Sequence, residues 1–115
     1  MSHKLAKCLL DALEACRAII EFTDGYTFDN YNGSQLLRSA VECQFEILGE
    51  SFNRIEGLDD TFRERLPEIG SIIGMRNRII HGYDTVDNSI VWDAVQLYIP
   101  KLIKWFDENE GLCFE

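Results

Sequence analysis

Apolar residues recur at intervals of three and four along almost the whole chain, and this spacing constrains the fold more than any other feature. Leu5, Leu9, Ala12, Cys16 and the pair Ile19 and Ile20 form one stripe between a capping Ser2 and the turn-prone Thr23-Asp24-Gly25, which predicts a helix over 3–22. After the polar and aromatic connection YTFDNYNG, the residues Leu37, Val41, Phe45, Leu48, Phe52 and Ile55 predict a second helix from a Ser34 cap to Gly57. Asp59 or Asp60 can cap a short third helix through Thr61 to Leu66. Pro67 lacks an N–H and restricts the residue before it, so it blocks simple continuation and suits the first turn of a fourth helix. That helix runs to Ile80 or His81 with Ile69, Ile72, Ile73, Arg76, Ile79 and Ile80 in step, and Gly82 is placed to stop it. Asp87-Asn88-Ser89 caps a fifth, in which Ile90, Val91, Val95, Tyr98, Leu102, Trp105 and Phe106 form a stripe to residue 107, and Pro100 inside it predicts a kink or a break. No stretch alternates apolar and polar at period two, and no two-residue hairpin turn separates candidate strands. The expectation is an all-α bundle of about five helices in a single domain, 1–115, whose tail over 108–115 frays or packs on a partner.

A chain of 115 residues can bury a real core, although a partner subunit would add usefully to its stability. Hydrophobic residues make up 46% and charged ones 27%, which argues against disorder away from the termini. Lys4, Lys7, Asp11, Glu14 and Arg17 interrupt the N-terminal stretch, leaving no signal-peptide core and nothing near the roughly 20 apolar residues of a membrane span. A cytoplasmic protein with no membrane partner is expected. Cys8, Cys16, Cys43 and Cys113 contain no C-x-x-C and sit among apolar residues, so most read as small core residues in a reducing compartment. With His3 and His81 they match no familiar zinc spacing, and neither metal nor cofactor is expected.

The net charge of −9 weighs against a nucleic-acid partner, because phosphate binding needs a basic footprint. The distribution of charge makes the exclusion weaker: Arg54, Arg63, Arg65, Arg76 and Arg78 gather within 54–78, while the residues from 84 onward are predominantly acidic. A local basic patch is compatible with this pattern; non-specific binding along duplex nucleic acid is not.

Within that basic stretch lies RNRIIHGY, residues 76–83. On a helix Arg76 and His81 are five positions and roughly 140° apart, whereas Asn77 and His81 share a face. A joint site then needs either a helix that ends near His81, so that the ring swings round, or two copies of the segment meeting across a dimer. A histidine in a last helical turn sits at the negative end of the macrodipole and can exchange protons near neutral pH. A neighbouring arginine brings a planar fork suited to phosphate. Together they supply what metal-free cleavage of RNA at a 2′-hydroxyl requires, an acid or base and stabilisation of a phosphorane-like transition state. Asn77 can orient His81 or the phosphate, and Arg78 can contact RNA. Spacing alone favours another reading: Arg76 and Arg78 as solvated helix-end charges, His81 as a cap that complements the dipole, Tyr83 as a packing residue with a wet hydroxyl. Trp92, Trp105 and the phenylalanines read as core or interface residues and not as stacking platforms.

The segment RNRIIHGY resembles the signature of the HEPN superfamily, in particular its HepT-like toxin branch, with Arg76, His81 and Tyr83 in register. VECQFEILGESFNRI is similar to the family's second-helix pattern, and the stretch from LPEIG to YIPKL is similar to its motif helix and the helix that follows. The resemblance covers residues 1–107 and implies a HEPN-like helical bundle, usually a homodimer with both motifs lining one cleft, and a metal-independent endoribonuclease. It further implies His81 as acid or base, Arg76 as the phosphate contact with Asn77 beside it, and Tyr83 as an AMP acceptor. The implied partners are RNA and a minimal nucleotidyltransferase antitoxin of a type II or type VII toxin–antitoxin pair. The alternative is a non-catalytic HEPN module that binds a nucleotide or a protein partner. A third reading, a structural helical dimer without ligand, rests on the apolar content alone.

Overall fold

A computed structural model describes residues 3–82 and 86–109, and among these all regular structure is helical. Six helices follow one another: α1 (His3–Thr23), α2 (Phe28–Gly33), α3 (Gln35–Leu58), α4 (Phe62–Arg65), α5 (Glu68–His81) and α6 (Asn88–Glu108). α3 packs along both α1 and α5, while α6 lies on α1 and reaches α2. The predicted stripes face inward: Leu9, Ala12, Cys16 and Ile19 of α1 meet Val41, Phe45, Leu48, Phe52 and Ile55 of α3, with Ile69 and Ile72 of α5 and Val95, Ile99 and Leu102 of α6 completing one core. No helix among the described residues is long and apolar enough to cross a membrane.

The helix ends follow local chemistry. Ser34 caps α3 by accepting from the Leu37 N–H, and Asp87 caps α6 by accepting from the Ser89 N–H at 2.8 Å. Hydrogen bonds from the Ser89 hydroxyl and N–H hold the Asp87 carboxyl below its usual range. α1 closes on a turn in which the Tyr26 N–H donates to the Thr23 carbonyl and Gly25 takes φ +76°, a left-handed backbone that glycine adopts without a Cβ penalty. Gly82 ends α5 with φ −138°, so its role there is as a stop and not as a left-handed cap. The proposed Ser2 cap and the tail beyond 109 lie outside the described residues.

One expectation needs correction, and at Pro100 one of the two expected forms is excluded. The connection YTFDNYNG contains a sixth helix, α2, opened by a reciprocal capping box: the Asn30 N–H donates to the Thr27 hydroxyl, and the Asn30 side chain accepts from the Thr27 N–H at 2.9 Å. The box carries Asn where Glu or Gln is usual, which hid it in the sequence. α2 exists to deliver Tyr31, which is fully buried against Trp92 with ring centroids 5.3 Å apart. Pro100 does not break α6, which runs unbroken through it. The N–H it lacks would have bonded the carbonyl of Gln96; Pro100 and Gln96 are both exposed, so water can serve that carbonyl while Ile99 and Leu102 hold the helix on the core.

Trp92 and Trp105 pack against the core as expected, Trp105 edge-on to Phe62 and Phe106. The cysteines divide: Cys8 and Cys16 are buried and free, whereas Cys43 is exposed on α3. Burial pushes the Cys16 thiol up to about 12, so at neutral pH it carries almost no thiolate. An alkylating reagent applied to the native protein should modify Cys43 and spare Cys16, with Cys16 reacting only after denaturation; peptide mass mapping reads the difference.

Candidate functional site

α5 carries the RNRII-H segment on its last two turns, and the helix sorts these residues to different flanks. Ile72, Met75 and Ile79 face the core, which leaves Arg76 on the α3 side. There it meets Gly49: a Cβ built on Gly49 would lie 2.5 Å from the Arg76 Cβ and 2.7 Å from its Cδ. Only a residue without a side chain lets the arginine stem cross α3 this closely.

The position after Gly49 completes the arrangement. One Glu50 oxygen forms an ion pair with an Arg76 terminal nitrogen at 3.1 Å, and the other accepts from Arg54 Nε, also at 3.1 Å. Arg76 is about one-fifth exposed (22%), and its Nε is buried without a hydrogen-bond partner among the described residues, so the Glu50 pair and the close passage of its stem over Gly49 are what place the guanidinium. Its other terminal nitrogen reaches the Asn77 side-chain oxygen only at a long 3.4 Å. One edge of the fork is thus fixed on a carboxylate, while the other is weakly engaged and available to an anionic oxygen. Arg76 opens into a furrow of about 290 Å³ between α1, α3 and α5, lined also by Asp11, Glu46, Glu50, Arg54 and Ile80.

His81 is exposed at the end of α5, and no hydrogen bond or ion pair among the described residues links it to Arg76. Arg78, two positions from Arg76, lies on the opposite flank beside Ser71, Gly74, Ile90 and Tyr98 of the α5–α6 groove. A single chain therefore does not gather Arg76, Arg78 and His81 into one cleft. Nor is the furrow purely basic, since Arg76 and Arg54 share Glu50; Arg63 does not line it and is committed to Glu56 at 2.6 and 2.9 Å. Tyr83 lies outside the described residues.

A family model described as ribonuclease HepT-like matches residues 12–108, a span that contains Gly49, Glu50 and all of α5. The chain belongs to the HepT-like family. A candidate RNase of Methanocaldococcus jannaschii is 33% identical to this HepT-like chain over 107 residues, covering 90% of this chain and 95% of the relative. A candidate ribonuclease HepT of Thermococcus cleftensis is 33% identical over 109 residues, 93% and 94% of the two chains. A candidate RNase of Caldanaerobacter subterraneus subsp. tengcongensis is 32% identical over 98 residues, 84% and 85% of the two. No solved structure matches the HepT-like chain.

The sequence alone points to α5 but not to Gly49 and Glu50. A glycine in a helix interior followed by an acid is a weak signal, because its meaning depends on which neighbouring helix crosses there.

Proposed function

We propose that this HepT-like chain is a metal-independent endoribonuclease toxin of a type II or type VII toxin–antitoxin pair. The reading is carried by a family match that spans the whole arrangement of an Arg76 paired with Glu50, an adjacent Asn77 and an exposed His81 at the end of α5. In the proposed reaction the RNA 2′-oxygen bonds to the adjacent phosphorus as the bond to the 5′-oxygen breaks. A proton leaves the 2′-hydroxyl for a basic His81, and one is returned to the departing 5′-oxygen. Arg76, and Asn77 beside it, stabilise the charge that builds on the phosphoryl oxygens.

Because Arg76 and His81 stand on different flanks of α5, the reading includes a homodimer in which the helix ends of two chains meet. One chain then supplies the arginine fork while its partner supplies a histidine, and two histidines serve as base and acid. Arg78 adds a further phosphate contact at such a junction. Cleavage of total RNA in EDTA by purified protein, shown unmodified by intact mass, is the test. Activity that disappears in His81→Ala and in Arg76→Ala supports the reading. Inactivity of a folded, unmodified wild type overturns it in favour of a non-catalytic module that binds a nucleotide or protein partner.

The proposed antitoxin is a minimal nucleotidyltransferase that transfers AMP from ATP to the Tyr83 hydroxyl, the α-phosphorus bonding to the phenolic oxygen as pyrophosphate leaves and the phenolic proton is lost. The motivating feature is the tyrosine two residues beyond His81. A phosphodiester and a base attached there would crowd the histidine and offer Arg76 the wrong phosphate. Co-expression with a cognate transferase should yield inactive protein heavier by one adenylyl group, and Tyr83→Phe should stay active and unmodified. Inhibition without any added mass would sink this part of the proposal.

A further inference from the structure

The Arg76 furrow does not end at Arg54. A second hollow, of about 430 Å³, continues from it along the α1–α3 seam and is lined by Lys4, Lys7, Cys8, Arg54, Gly57 and Leu58, so that Cys8 and Arg54 belong to both. α1 and α3 run antiparallel here, Asp11 facing the level of Glu46 and Lys4 the level of Leu58. From Glu46 to Leu58 the seam is about 18 Å long at the helical rise. Its two ends differ in charge. The Arg76 end sets Asp11, Glu46 and Glu50 against Arg54 and Arg76, while the far end has Lys4, Lys7 and the shared Arg54 and no acid in its lining, on a chain whose net charge is −9.

We propose that this seam is the track on which single-stranded RNA lies beside the scissile phosphate, with Lys4, Lys7 and Arg54 holding successive backbone phosphates. This rests on the ribonuclease reading of Arg76 and His81. The cations are held ready and are not locked away. Lys7 pairs with Asp11 at 2.7 Å and Arg54 with Glu50 at 3.1 Å, both as exposed i, i+4 pairs, which exchange readily for a phosphate. Lys4 has no carboxylate partner among the described residues. The floor between the cations is Cys8, Gly57 and the half-exposed Leu58, without an aromatic ring. Such a surface can take sugar and base faces by contact but offers no stacking platform, so it holds the backbone without reading sequence. The acids at the Arg76 end restrict favourable phosphate positions to the cationic end and to the arginine itself, which sets how the strand enters.

The test is fluorescence anisotropy with a labelled single-stranded RNA oligonucleotide and the His81→Ala protein, compared with the same protein carrying Lys4→Ala and Lys7→Ala. A third protein carries Lys101→Ala and Lys104→Ala instead, which removes equal charge from exposed positions of α6. The α1 pair is expected to weaken binding about tenfold and to lower the slope of log affinity against log salt by about 1.4, whereas the α6 pair leaves both near the parent value. Equal loss in both pairs, no loss in either, no RNA binding at all, or binding of a poly-glutamate peptide in preference to RNA would overturn the track. The cleavage assay separates the two levels. If wild type cleaves RNA but binding ignores Lys4 and Lys7, the track falls and the ribonuclease stands. If binding depends on them without any cleavage, the track stands as an RNA site and the ribonuclease falls.

Discussion

Replacing His81 with alanine is expected to lower RNA cleavage by about 10²–10⁴-fold while leaving the melting temperature unchanged. The two halves of that expectation have separate physical grounds. The His81 side chain is exposed at the end of α5 and makes no hydrogen bond or ion pair among the described residues, so truncating it removes no polar side-chain contact among them. Surface changes of that kind usually lie within about ±0.5 kcal/mol. Its proposed role, in contrast, is proton transfer in the transition state, for which an alanine offers nothing. Arg76→Ala is a less clean variant, because it also removes the Glu50 pair and the stem that fills the space above Gly49. Cleavage assays run beside thermal melts on both variants distinguish the cases: loss of activity at constant stability for His81, loss of activity with some loss of stability for Arg76. A His81→Ala protein that still cuts RNA would remove the histidine from the chemistry.

The helical bundle was legible because burial imposes its own period. Leu9, Phe45, Phe52, Ile72 and Leu102 stand where three-and-four spacing puts them, and the stops at Gly25, Pro67 and Gly82 are local chemistry. α2 was not legible because six residues carry less than two turns of periodicity, and its capping box uses an unusual partner. At Pro100 the sequence allowed a kink or a break, and the helix does not break there. A proline's cost inside a helix depends on whether the carbonyl it abandons faces water, and that is a property of the packed fold. The candidate site divides in the same way. Arg76, Asn77 and His81 announce themselves within one short stretch of sequence, yet Glu50 and Gly49 acquire meaning only when α3 is laid against α5. The local basic patch that five arginines allow is also less basic in three dimensions than along the chain, since Arg54, Arg63 and Arg76 each meet a carboxylate. Clustering of charge along the chain and clustering in space are different quantities on a helix whose successive residues turn by about 100°.

Gly49 offers the sharpest test of that assembled arrangement, because two alanine substitutions in neighbouring helices should have opposite signs. In a helix interior, glycine to alanine ordinarily stabilises by about 0.5–1 kcal/mol, through lower chain entropy in the unfolded state. Gly74 in α5 is such a site: an added Cβ would meet nothing within 4 Å. Gly74→Ala should therefore raise the melting temperature. At Gly49 the same methyl would stand 2.5 Å from the Arg76 Cβ, 2.7 Å from its Cδ and 3.0 Å from its Cγ. The first of those atoms is fixed to the α5 backbone, so a rotamer change cannot relieve the overlap, and α5 must move off α3. Overpacking of this kind typically costs about 1–3 kcal/mol, which outweighs the propensity gain and lowers the melting temperature. The same displacement carries Arg76 away from Glu50, and a misplacement on the order of 1 Å at a reacting phosphate can cost about 10²-fold in rate. Gly49→Ala should thus lose both stability and cleavage while Gly74→Ala gains the first and keeps the second. A Gly49→Ala protein as stable and as active as the parent would show that α3 and α5 do not approach closely at this residue, and Arg76 would lose the wall that now fixes its guanidinium.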